Sequence, residues 1–95
     1  MKLVKSGGKP QSIKQQALEI LEFLNKKAGK NFRPVDVNIN FIKARLESGI
    51  KIEDLKSIIA MKVEESLSGD YDRKWLRPET LFNRTKCEQY YGELG

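Results

Sequence analysis

Histidine is absent from this sequence. That removes the commonest general base near neutral pH and the commonest metal ligand. Cysteine occurs once, as Cys87, so there is no internal disulfide framework. Without a histidine beside it, Cys87 lacks the base that activates a thiol nucleophile. It is expected to pack as a small hydrophobe, buried or half-buried. No apolar run approaches the roughly 18 residues of a membrane span, and the N-terminal stretch has no apolar h-region of a secretory signal. The pair Gly7-Gly8 is too short for a phosphate-binding loop, and no acidic run has EF-hand spacing. The carboxylate pairs Glu64-Glu65 and Asp70/Asp72 lie on a helix surface and a polar turn with nothing apolar flanking them to raise a pKa. Strand-like alternation is missing. These absences lead to an expectation of a cytoplasmic, non-enzymatic protein with no cofactor, no metal and no membrane contact.

What is present is a short, charged, helix-forming chain. Its 95 residues suit one domain, with a core on the order of a dozen and a half apolar side chains. The net charge of +5 is unevenly spread: residues 1–30 hold seven lysines against Glu19 and Glu22, while residues 31–95 balance eleven basic against eleven acidic residues. The lysine-rich end is either a solubilising tail and solvated helix face or a segment that lies along a phosphate backbone. Gly7, Gly8 and Pro10 break any regular pattern, so residues 1–11 are expected to be a flexible basic arm or the remnant of a linker. Residues 12–95 are expected to form a single helical domain.

Hydrophobic spacing predicts three main helices and an all-α fold. In the first, residues 12–28, apolar positions fall at 13, 17, 20, 21, 24 and 28. Ser12 and Gln15 have capping-box spacing, and Gly29 stands where a left-handed C-terminal residue is wanted. The second spans 37–48, with Ile39, Ile42 and Leu46 on one face, Phe41 and Ala44 nearby, and Asp36 as the expected N-cap. The third spans 52–67, with Ile52, Leu55, Ile58, Ile59 and Val63 as its stripe and Lys51 as a poor cap. KWLRPETLF, residues 74–82, then reads as a strap. Trp75 and Leu76 run extended, Pro78 opens a short helix, and Leu81 and Phe82 point into the core. Residues 83–94 have room for one or two further helical turns, with Tyr90, Tyr91 and Leu94 as anchors.

Two binding surfaces suggest themselves. Helices 37–48 and 52–67 could be arranged as a helix-turn-helix. However, the positions expected to be exposed on the second (Glu53, Asp54, Lys56, Ser57, Lys62, Glu64 and Glu65) are net acidic, with no Arg, Asn or Gln to read base edges. The other candidates are Arg33, Arg45, Arg73, Lys74, Arg77 and Arg84, several of them bordering Trp75. Arginine beside an aromatic suits a protein hot spot or single-strand stacking. The competing structural roles are core closure for Trp75 and a bond to a helix C-terminal carbonyl for Arg33 and Arg77.

Three runs together resemble a known family: ILEFLNKKAGKNFRP (20–34), IKARLESGIKIEDLKSII (42–59) and WLRPETLF (75–82). They are similar to the conserved phage C-terminal domain that ends phage and prophage replication proteins of the replisome-organiser or replication-protein-O class. The similarity covers about residues 18–91, and there is a looser likeness to DnaD-type primosome proteins. The resemblance implies a non-enzymatic module of DNA replication initiation. Its implied partner is host helicase or helicase loader, with single-stranded DNA as the alternative. The residues offered for either are Arg33, Arg45, Lys74, Trp75, Arg77 and Arg84. The chain departs from the family pattern at Lys51, where threonine is usual, near Ser66-Leu67, where an aromatic is common, and at Cys87, where phenylalanine is common. Each departure touches local packing or capping and removes no chemistry.

Overall fold

The computed structural model describes residues 11–95. The arm expected over residues 1–11 therefore lies, apart from Gln11, outside them. The described residues form an all-α fold with no strand. Helix α1 spans Ile13–Ala28, α2 Asp36–Glu47 and α3 Ile52–Leu67. A 3-10 turn at Arg73–Trp75 leads to α4, Pro78–Leu81, and then to α5, Arg84–Glu93. Helix α1 is central and packs on both α2 and α3, while α4 closes against α2, and α5 against α3 and α4.

Helix α1 starts and stops as its sequence predicts. Ser12 Oγ accepts from the Gln15 amide and Gln15 Oε1 accepts from the Ser12 amide, both at 3.2 Å. This reciprocal box satisfies two otherwise orphaned donors. Ala17, Ile20, Leu21, Leu24 and Ala28 are buried along one stripe. Gly29 adopts φ 66°, the left-handed geometry that ends the helix. A cation arriving from far along the chain then covers the C-terminus, as Arg73 Nη2 donates to the Ala28 carbonyl at 2.7 Å. The helix-end role considered for Arg33 and Arg77 thus falls to Arg73.

Four expectations need correcting. The first concerns Asp36, which is the first residue of α2 rather than its cap. Val35, extended at ψ 160°, is the N-cap, so the helix begins at Asp36, one residue earlier than expected. Asp36 sits in the first turn, where the helix dipole favours a carboxylate. The second concerns the stretch before Pro78, which is not extended throughout. Asp72 Oδ1 accepts from the Lys74 amide at 2.9 Å and nucleates the 3-10 turn. Only Arg77, at φ −152° and ψ 155°, is fully extended before the proline. The third concerns the C-terminal part, where α5 is a ten-residue helix rather than one or two turns. Asn83 Oδ1 caps it by accepting from the Lys86 amide at 3.0 Å, and Cys87 and Tyr90 point inward, whereas Tyr91, expected as an anchor, lies on the outer face and is exposed.

The fourth is Lys62, expected on the exposed face of α3 but only 4% exposed. Its Nζ lies 4.3 Å from the Tyr90 ring centroid and 5.1 Å from that of Tyr71. It donates to Glu93 Oε1 at 2.8 Å and to Glu65 Oε1 at 3.0 Å. Burial pushes the Lys62 pKa down, but these two bonds and charges outweigh it, and the pKa ends above the ordinary lysine value. The Tyr71 and Tyr90 hydroxyls share a hydrogen bond of 2.9 Å. The Trp75 ring meets Tyr71 edge-on at 5.3 Å. One cation and three aromatic rings therefore tie α3, the strap and α5 together.

Leu76, Leu81 and Phe82 are at most 1% exposed, and Pro78 is buried with them, so the strap does seal the core. Cys87 joins the same cluster at 0% exposure. Burial raises its thiol pKa to about 11, against a partial opposing pull from Arg45 and a small push from Glu88. Tyr71 is also raised, first by burial and then by its bond to Tyr90. Lys62, Tyr71 and Cys87 all have folded pKa values above their unfolded ones. Each therefore contributes stability that is present below the unfolded pKa and lost as pH rises. Urea unfolding should give a flat stability from about pH 6 to 8.5 and a fall above about pH 9, where the unfolded thiol and then tyrosine ionise. In the same samples Cys87 should resist alkylation by iodoacetamide until urea opens the fold. Rapid alkylation of native protein at pH 8 would contradict the burial.

Candidate functional site

Helix α2 has two usable faces. Ile39, Ile42 and Leu46 face the core. On the other side, Val37, Asn40, Phe41, Ala44 and Arg45 recur at i, i+3, i+4, i+7 and i+8, which is again one helical stripe. With Phe82 and Arg84 they line a groove of about 430 Å³ between α2 and the junction of α4 with α5. Val37 stands 63% exposed at its mouth, and Phe41 is half-buried. Phe82, at 1% exposure, is the floor.

Local structure places each wall. Pro34 and the α2 start project Val37 outward from the first turn. Pro78 opens α4, and after its single turn Phe82 lands under the groove. Asn83 then caps α5, so Arg84 is its first residue and stands on the rim. Arg45 occupies the last turn of α2, where a cation also suits the helix dipole. Its Nε is buried and has no hydrogen-bond partner among the described residues. Neither Arg45 nor Arg84 takes part in an ion pair among those residues. Glu88, one turn along α5 from Arg84, is no exception. The groove thus has an apolar floor, a cationic rim and no acidic lining residue.

The remaining candidates from the sequence lie elsewhere. Lys74, Trp75 and Arg77 share the strap. Lys74 is exposed and lies 3.6 Å from Asp72 Oδ2, and Trp75 is 42% exposed with its ring edge-on to Tyr71. Arg77 Nε donates to Thr80 Oγ1 at 2.9 Å, which steadies the start of α4. Arg33 is exposed in the α1–α2 connector, where its carbonyl accepts from Asn38 Nδ2 at 2.8 Å. Of the six candidates, the fold brings Arg45 and Arg84 to one groove, keeps Lys74, Trp75 and Arg77 on one strap, and leaves Arg33 apart.

Sequence reasoning missed the groove's apolar half, Val37, Phe41, Ala44 and Phe82. The signal was there: the 37, 41, 44 spacing is helical and cannot share a face with 39, 42 and 46. No described helix is long and apolar enough to cross a membrane, and no cluster of His, Cys, Asp or Glu with metal-binding geometry occurs among the described residues.

Comparison with known proteins adds one relationship. A family model described as conserved phage C-terminus matches residues 20–92, from the middle of α1 to the last turn of α5. No curated protein and no solved structure matches the chain.

Proposed function

This chain belongs to the conserved phage C-terminus family, and from that premise we propose that it is a non-enzymatic interaction module of a phage or prophage replication initiation protein, recruiting host helicase or helicase loader. The observation that carries this reading is the groove on α2. An exposed Val37 above a half-buried Phe41, with arginines on the rim, has the apolar centre and polar edge of a protein interface. The non-enzymatic part is supported by where the perturbed groups sit. Lys62, Tyr71 and Cys87 are shifted by core packing, and Glu19, the perturbed group on the surface, is lowered by its bond to Lys56, a plain ion pair.

The test is capture from nuclease-treated lysate of the bacterial host, using the full chain as bait. Helicase or its loader should be retained by the wild type and lost with Val37→Asp. That variant keeps the fold, because Val37 lies in the first turn of α2, where an acidic residue suits the dipole. Its melting temperature should stay within about 3 °C of the wild type. If no replication protein survives nuclease, or if capture is indifferent to Val37→Asp, recruitment through this groove is wrong.

A second reading rests on Trp75. An exposed indole flanked by Lys74, with Arg77 close in the chain, suits stacking and phosphate contact on single-stranded DNA. Affinity for an oligothymidylate would then fall steeply between 50 and 200 mM salt, roughly in proportion to the phosphates contacted, and would collapse with Trp75→Ala. Binding to helicase or loader through an apolar groove with two rim arginines should fall less steeply over the same range.

A further inference from the structure

The groove between α2 and the α4–α5 junction also specifies the chemistry of what fills it. We propose that it takes a short partner peptide carrying an apolar side chain within about one helical turn of a carboxylate. The apolar group covers Val37, Phe41 and Phe82, and the carboxylate pairs with Arg45 and Arg84. This rests on the groove being the docking face described above and adds the class of ligand.

Two observations point to the carboxylate. Arg45 Nε is shielded from water yet has no acceptor among the described residues. A buried donor without a partner is costly, and more so on a charged group, so a shift of the Arg45 side chain toward an acceptor in the groove recovers what folding left unmet. Arg84 stands on the opposite wall without an ion pair, and none of the residues lining the groove is acidic. Two guanidinium groups without an ion pair beside one groove raise the local concentration of anions, and their fork geometry matches a carboxylate in bidentate fashion.

The floor decides against a nucleic acid. Single strands bind by stacking bases on open aromatic faces. Here Phe82 is 1% exposed, Val37 is aliphatic, and the open indole of Trp75 belongs to the strap and does not line the groove. Aliphatic surface beside a half-buried Phe41 ring suits a Leu, Ile, Met or Phe side chain. An apolar anchor beside one charged pair is the pattern of a helix or strand segment laid into a groove.

The experiment uses a random 12-residue peptide library displayed on its own messenger RNA and selected on the immobilised full chain. The strongest peptides are then synthesised with a fluorescent label for anisotropy. Enriched peptides should carry Asp or Glu within four positions of Leu, Ile, Met or Phe. Replacing those acids by Asn or Gln in the peptide should raise Kd at least about tenfold, as should Arg45→Gln combined with Arg84→Gln in the protein. Val37→Asp should do the same, whereas Lys74→Gln, on the strap, should not. Thermal melts of each variant confirm that the fold is kept.

Enrichment of basic or uncharged peptides, no enrichment at all, or indifference to the double arginine variant overturns the proposal. So does a 15-residue oligothymidylate, or self-association seen by light scattering, that depends on the same two arginines: the groove would then belong to nucleic acid or to a second copy. The two readings fail separately. If capture of the host replication protein needs Val37 but neither arginine, docking stands and the carboxylate class falls. If acidic-apolar peptides bind the groove and no replication protein does, the ligand class stands and recruitment falls.

Discussion

Lys62→Glu is expected to leave the chain unfolded at 25 °C. The wild-type ammonium sits between the Tyr71 and Tyr90 rings and bonds to Glu65 and Glu93. A carboxylate there would face two like charges and the electron-rich faces of two rings, with only 4% of the residue open to water. Glu65 and Glu93 are partly open to water, so losing their partner costs less than the roughly 3–5 kcal/mol of a fully buried pair; burying the new carboxylate and its repulsion from both make up the larger part. A chain of this length has only about 5–14 kcal/mol of stability to lose. Lys62→Met is the control. It keeps much of the stem's packing and forfeits the cation–π attraction, worth about 2 kcal/mol at a desolvated site. The methionine variant should fold with a melting temperature lowered by roughly 8–16 °C. Circular dichroism against temperature and urea measures both. A glutamate variant that melts within a few degrees of the wild type would mean that Lys62 does not hold α3 to α5.

Phe82→Ala should cost about 3–5 kcal/mol, the range for emptying a well-packed aromatic position. Phe82 is among the largest fully buried side chains. It belongs to the same core cluster as Ile42 on α2 and Cys87 on α5. The small helix α4 has one turn and no side-chain cap, so it cannot stand without the side chains it buries. Loss of Phe82 therefore frees the strap as well as opening a cavity. Trp75→Ala, in the 3-10 turn before α4, should cost about 1–1.5 kcal/mol, because the indole is 42% exposed and contributes mainly an edge contact to Tyr71. Urea midpoints at an unchanged slope report the difference. Equal costs for the two variants would show that the indole, not Phe82, closes the core.

These two residues also mark where the sequence was legible. Phe82 follows Leu81 directly after a proline-opened turn, and that local chemistry sufficed to send both inward. Lys62 was harder. Its spacing from Leu55, Ile58 and Ile59 puts it on the inward stripe of α3, yet its charge argued for solvent. The stripe prevailed because Tyr71, Tyr90 and Glu93, from two later segments, supply faces and an acceptor that no reading of α3 contains. The groove followed the same logic. Arg45 and Arg84 were candidates as basic residues, but their meeting across Phe82 depends on α4 turning the chain back against α2.

What the sequence alone determined was local: three amphipathic helices, the capping box at Ser12, the stop at Gly29 and the proline start of α4. Each follows from spacing, a cap or a backbone preference within a few residues. Only tertiary structure decided which lysine is buried, which arginine closes the end of α1 and which face of α2 stays open. Those outcomes turn on contacts between residues tens of positions apart, such as Arg73 with Ala28 and Lys62 with Glu93. A charged side chain's environment is set by such partners and not by its neighbours in the chain.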